Sequence, residues 1–184
     1  MAQIHIEGVW TKVWDPSHRP HFHGLDGTSN TITWGDPVSN GQTSSYEFVG
    51  GGAHAEIDGP SFALGEFTHH NYPIYLPFER FKVDLEVTVN FEGEDLPPFT
   101  LTFEHYESPN QGPIAGQADQ VTLPDVIPPK DLEAVQINGV ACVLKVDGFY
   151  VPHTNRLTHK FRTPEGKPSS ADIHVQLTSY TGPR

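Results

Sequence analysis

The chain alternates apolar and polar residues most strictly over Arg80–Phe91. Val83, Leu85, Val87, Val89 and Phe91 fall on one side, and Asp84, Glu86, Thr88, Asn90 and Glu92 on the other. Successive side chains of a strand point to opposite faces, so this stretch predicts a strand with one core face and one wet face. Residues 99–107 repeat the period and place Phe99, Leu101, Phe103, His105 and Glu107 on a shared face. If that face is the core, an imidazole and a carboxylate are carried inward, and both need partners.

The same pattern, in shorter runs, predicts strands elsewhere. Residues 3–14 read as a strand interrupted by a turn at Gly8 and stopped by Asp15-Pro16, and 28–35 and 45–49 are β-branched or aromatic. Gly50, Gly51 and Gly52 mark a bend or bulge. In 61–73, SFALGEFTHHNYP, Phe62 and Leu64 share one face and Phe67 lands on the other, so Gly65 marks a bulge that shifts the phase. That run ends in Thr68, His69, His70 and Asn71, of which His69 and Asn71 share a face and His70 points to solvent. Residues 134–137 and 140–146 flank Asn138-Gly139, a favoured hairpin turn. A last strand directs Ile173, Val175 and Leu177 inward, with His174 and Gln176 outward.

The connections 108–130 and 152–170 read as polar loops, with only 121–123 extended, and the one helix candidate, 129–135, spans at most about two turns. About eight to ten short strands, with turn signals every 8–15 residues or so, predict an all-β antiparallel sandwich, jelly-roll-like, formed by 1–184 as a single domain.

Composition narrows the function. The 23 acidic and 11 basic residues give a formal charge of −12, which repels phosphate backbones and anionic lipid, so nucleic-acid binding and membrane insertion are not expected. No apolar run approaches the roughly 18 residues of a spanning helix. Cys142 is the single cysteine, which excludes an internal disulfide and any multi-cysteine zinc or iron–sulfur site; its apolar surroundings predict a buried core residue. The start, MAQIHIEGVW, has neither the basic region nor the apolar region of a signal peptide. This leaves the cytoplasm, a non-classical export route, or a signal already removed.

Candidate chemistry lies in three polar segments: Thr68–Asn71, the end of 99–107, and Asp119 between two glutamines. Two imidazoles, carboxylates and amide oxygens meeting at one end of a β-sandwich suit a divalent cation. Nitrogen ligands favour zinc, and a mainly oxygen set favours calcium. The same groups also suit a buried hydrogen-bond network. His21 and His23 lie two apart and would share a side in an extended chain. The remaining histidines read as surface residues, and no phosphate loop, EF-hand loop or G-x-S-x-G elbow is present.

Together, WGDP at 34–37, FALGEFTHHNYPI at 62–74, FEHYESPN at 103–110, ADQV at 118–121 and LKVDGF at 144–149 resemble the bacterial THxN family. That family is similar to the choice-of-anchor K domains of surface proteins. The resemblance implies an all-β extracellular module, with motif positions at Thr68, His69, Asn71, His105, Glu107, Asn110 and Asp119. It implies export and a C-terminal anchor, whereas this chain ends in LTSYTGPR.

Three functions follow as expectations. The first is a non-enzymatic binding or structural module, with a protein or glycan ligand and a divalent metal held by His69, Asn71, His105, Glu107 and Asp119. The second is a metal-dependent enzyme at the same site, with Glu107 or Asp119 as base. The third is a carbohydrate-binding module using Trp10, Trp14, Tyr72 or Tyr75 as a platform.

Overall fold

A computed structural model describes residues 2–38, 41–109, 117–123 and 135–180. In chain order the strands are β1 (Ala2–Val13), β2 (Phe22–His23), β3 (Thr31–Trp34), β4 (Asp36–Pro37), β5 (Ser44–Gly50) and β6 (Gly52–Ala55). They continue with β7 (Phe62–Asn71), β8 (Ile74–Tyr75), β9 (Arg80–Phe91), β10 (Glu94–Asp95), β11 (Phe99–Tyr106) and β12 (Ala118–Thr122). The last are β13 (Val135–Ile137), β14 (Val140–Val151), β15 (Arg156–Thr158), β16 (Lys160–Pro164) and β17 (Lys167–Ser179). The expected all-β antiparallel class is what these strands form.

One sheet has the order β16-β12-β11-β9-β1-β6, with β10 on β9; the other runs β13-β14-β17-β7-β5-β3-β2, with β15 on β14; β4 and β8 form a separate ribbon. The two large sheets meet over one core. Phe67 of β7 stacks on Phe103 of β11 at 5.0 Å, and Trp10 of β1 lies 5.6 Å from Tyr46 of β5. β9 supplies Phe81, Val83, Leu85, Val87 and Val89 to that core, as its alternation predicts. A smaller apolar cluster holds Ile137, Cys142 and Leu177.

Several boundaries differ from expectation, each for a local reason. No turn occurs at Gly8, and β1 runs through it. A Cβ there would lie 2.5 Å from Cδ1 of Phe48 in the opposite sheet, so the missing side chain admits a close inter-sheet contact. Gly65 does mark a bulge. The β7–β17 register pairs Gly65 with Ile173 but Ala63 with His174, leaving Leu64 as the extra residue. The phase shift puts Leu64, Phe67, His69 and Asn71 all in the interior.

The first connection contains a 3-10 helix, Pro16–His21, whose N-cap Asp15 accepts a hydrogen bond from the Ser17 N–H at 2.9 Å. That helix removes His21 from any extended pairing with His23. Instead His18 stacks on Phe78 at 3.6 Å, and His21 meets the same ring edge-on. The supposed polar loop 152–170 holds β15, β16 and the start of β17. These, with several strands of two or three residues, raise the strand count above eight to ten. Of the proposed helix 129–135, only Val135 lies within the described residues, and it belongs to β13. Among the described residues, no helix is long and apolar enough to cross a membrane.

Candidate metal centre

Between the two sheets, five chain segments bring polar side chains into the interior. β7 contributes His69 and Asn71, and β11 contributes His105, followed directly by Glu107. β12 contributes Asp119, β16 contributes Thr163, and the turn after β16 contributes Glu165. All are buried. Register explains the meeting. β12 lies between β11 and β16, so His105 pairs with Val121 and Asp119 with Thr163. Gly166 N–H then donates to the Asn71 carbonyl at 2.8 Å, tying the β16–β17 turn to the end of β7.

The two imidazoles are held alike. Nδ1 of His69 is 2.7 Å from Thr163 Oγ1, and Nδ1 of His105 is hydrogen-bonded to the Tyr46 hydroxyl. Each therefore turns Nε2 toward Asp119. Oδ2 of Asp119 lies 4.0 Å from His69 Nε2 and 3.6 Å from His105 Nε2. Both separations are too long for hydrogen bonds. Ligands on one tetrahedral zinc-class ion, with bonds of about 2.0–2.2 Å, sit roughly 3.4 Å apart and farther when the angle opens. His105 Nε2 is also 3.1 Å from Glu107 Oε2, a contact that serves as a hydrogen bond whenever Nε2 carries the proton.

Asp119 Oδ1 accepts from the Ser108 backbone N–H at 2.8 Å, and Asn71 Nδ2 donates to the Thr163 carbonyl at 2.8 Å. The other ends of these groups are unmatched. Among the described residues, His69 Nε2, Asn71 Oδ1, Glu107 Oε1, Asp119 Oδ2 and both oxygens of Glu165 are buried without a hydrogen-bond partner. Buried polar atoms are nearly always paired, because leaving one unpaired costs about 1–3 kcal/mol.

The electrostatics fit a cluster that lacks countercharge. Burial pushes Glu107 up to about 7, against the opposing pull of Trp34 and Asp119. Burial lifts Asp119 to about 6, with His105 drawing it down and Glu107 adding repulsion. Glu165 is raised to about 7 by burial and then by the Asp119 and Glu107 charges. Burial drives His105 down to about 4, opposed by Asp119, and holds His69 well below the ordinary imidazole value, assisted by His105 and His70. The histidines are thus neutral at pH 7, the form that binds metal, while Glu107 and Glu165, raised to about 7, still hold part of their protons, which a cation would displace. Tyr46 is raised well above the ordinary phenol value by burial and by Asp119 and Glu107.

No family model matches the chain, and no curated protein does either.

Of the residues expected at the site, His69, Asn71, His105, Glu107 and Asp119 come together. Thr68 does not; its hydroxyl pairs across strands with Ser170 Oγ at 2.7 Å, on the opposite face of β7 from His69. Asn110 lies outside the described residues. His70 is half-buried. Trp10 is fully buried and cannot be a glycan platform, whereas Trp14 and Tyr75 are exposed and Tyr72 is half-buried. Trp14 is held by its Nε1–H donating to Asp84 Oδ1 at 2.7 Å.

Thr163, Glu165 and Tyr46 were not visible as site residues. The signal for the first two was present, since Phe161, Thr163 and Glu165 keep the period of a strand with one buried face. Treating 152–170 as loop obscured it.

Proposed function

We propose that this protein is a non-enzymatic β-module whose interior holds a divalent cation as a structural element, bound by His69, His105 and Asp119. One observation carries the reading. Two neutral imidazoles, each anchored through Nδ1, present Nε2 to the same carboxylate oxygen at ligand spacing rather than hydrogen-bond spacing. The donor set of two nitrogens and a carboxylate favours a zinc-class ion. The resemblance to the THxN pattern, which would make His69, Asn71, His105, Glu107 and Asp119 motif positions, agrees with an all-β module.

Burial favours a structural over a catalytic ion. The most exposed carboxylate or imidazole at the site, Glu165, is 6% exposed. A catalytic ion needs a coordination position that substrate can reach. A metal-dependent enzyme is the second reading, favoured by a cleft of about 310 Å³ lined by Trp14, His18, Arg80, Lys82 and Glu104 that reaches His105.

Metal content of the purified protein, with melting before and after chelator, tests the proposal. At least one divalent ion per chain and a lower melting temperature after chelation are expected. Saturation at 100–1,000 times Kd corresponds to about 3–4 kcal/mol of added stability. No bound ion and an unchanged melt would overturn it. Metal-dependent turnover of a small substrate that is blocked by Trp14→Ala would favour the second reading.

A further inference from the structure

We propose that the cluster holds two divalent cations side by side, with Asp119 common to both and Glu165 building the second position. This rests on the reading just given, since it adds a position to the same site. The donor atoms form two groups, each with all members within 4.8 Å of one another: His69, His105 and Asp119 in one, Glu107, Asp119 and Glu165 in the other. Bonds from a divalent ion to nitrogen or oxygen are about 2.0–2.6 Å, so two ligands of one ion are separated by no more than roughly 4–5 Å. Among the described residues, no single group within that limit takes in the histidines together with Glu165. One ion therefore does not serve all five side chains, and two ions sharing Asp119 do.

Glu165 supplies an independent observation. The residue is 6% exposed, and among the described residues neither carboxylate oxygen has a hydrogen-bond partner; Glu107 Oε1 beside it also has none. Neither Lys nor Arg in the ion pairs of the described residues contacts these carboxylates. A buried carboxylate without donors or countercharge is among the costliest groups a fold can carry. Three carboxylates also bear more charge than one dication cancels.

The backbone aims Glu165 at this place. It sits in the turn that carries the chain from β16 in one sheet to β17 in the other, and its own N–H donates to the Gln117 carbonyl at 3.3 Å. With Gly166 bound to Asn71, the turn is fixed on two sides. The second position offers only carboxylate oxygens, so it suits a hard cation such as manganese or calcium, while the first suits zinc. Paired ions bridged by carboxylate typically stand about 3.5–4 Å apart.

The test counts metal. Chelator-treated protein is saturated with Zn²⁺ and Mn²⁺, desalted, and analysed for metal per chain by mass spectrometry. The wild type is expected to retain two equivalents and Glu165→Gln one, with unchanged circular dichroism. One equivalent in the wild type overturns the second position and leaves the first reading standing. None overturns both, and two retained by Glu165→Gln overturns the role of Glu165. Should that variant fail to fold, Glu165→Asp replaces it, titrated with Mn²⁺ and followed by electron paramagnetic resonance. At least a tenfold weaker second equivalent is expected, and wild-type affinity for both equivalents overturns the proposal.

Discussion

Truncating His105 to alanine probes the site at its most connected member. The ring is 2% exposed, stacks on Phe81 at 4.4 Å, and meets Trp34 and His69 edge-on at 5.4 and 5.3 Å. Removing it opens a void among those rings. Aromatic-to-alanine changes in cores cost about 3–5 kcal/mol, and the smaller imidazole belongs at the lower end. The change also strands the Tyr46 hydroxyl and Glu107 Oε2, each worth roughly 1–3 kcal/mol if left unpaired. Water entering the polar void returns part of this, so we expect a net loss of about 3–5 kcal/mol. For a chain of this size each kcal/mol moves the melting temperature by about 2–4 °C. The measurement belongs on chelated protein, by denaturant titration and thermal melting, so that no ion contributes. His105→Phe fills the void but strands the same two polar atoms with no room for water, and should cost about 2–6 kcal/mol. A change within about 0.5 kcal/mol for the alanine variant would refute the packed, inward placement of His105.

Three further outcomes are expected. Thr163→Val removes the hydroxyl 2.7 Å from His69 Nδ1 and should weaken Zn²⁺ binding by about 10–100-fold in calorimetric titration, with a loss of about 1–3 kcal/mol in chelated protein because Nδ1 is left unpaired; undiminished affinity would show that His69 is not oriented through Thr163. In chelated protein, Glu107 and Glu165 have folded values raised to about 7, so the folded state binds more protons than the unfolded one as pH passes from 7 to 8; below pH 7 His69 and His105, lowered by burial, pull the other way because the unfolded imidazoles take up protons. Stability should therefore fall across that window, whereas Zn²⁺-loaded protein should gain, because rising pH removes the protons that compete with metal; parallel melting curves with and without metal would contradict this. Gly8→Ala drives a Cβ to 2.5 Å from Phe48 and should cost about 1–3 kcal/mol in denaturant unfolding; a neutral outcome would mean the sheets can separate there without penalty.

The elements most legible in sequence were those whose pattern is local. β9 could be read residue by residue because its period of two has no interruption, and β11 placed His105 and Glu107 inward on the same ground. The bulge at Leu64–Gly65 was also readable, since the apolar phase changes around a glycine. Gly8 misled because a glycine in a strand marks either a turn or a close approach, and only the Phe48 ring opposite distinguishes them. Trp10 looked available for a ligand because an aromatic residue carries no sign of its burial. For Glu165 the period of two through Phe161 and Thr163 carries the inward direction, but its meeting with Asp119 depends on β16 pairing with β12, a contact between distant segments that no local window contains.

That long separation matters for how the chain keeps its shape. With one cysteine, the chain has no internal covalent clasp. His69 and Glu165 are separated by roughly a hundred residues of chain. A bond that closes so long a loop restricts the unfolded chain far more than it restricts the folded one, which is how a disulfide stabilises. Ions at the centre would therefore act as a reversible staple, set by metal supply rather than by oxidation.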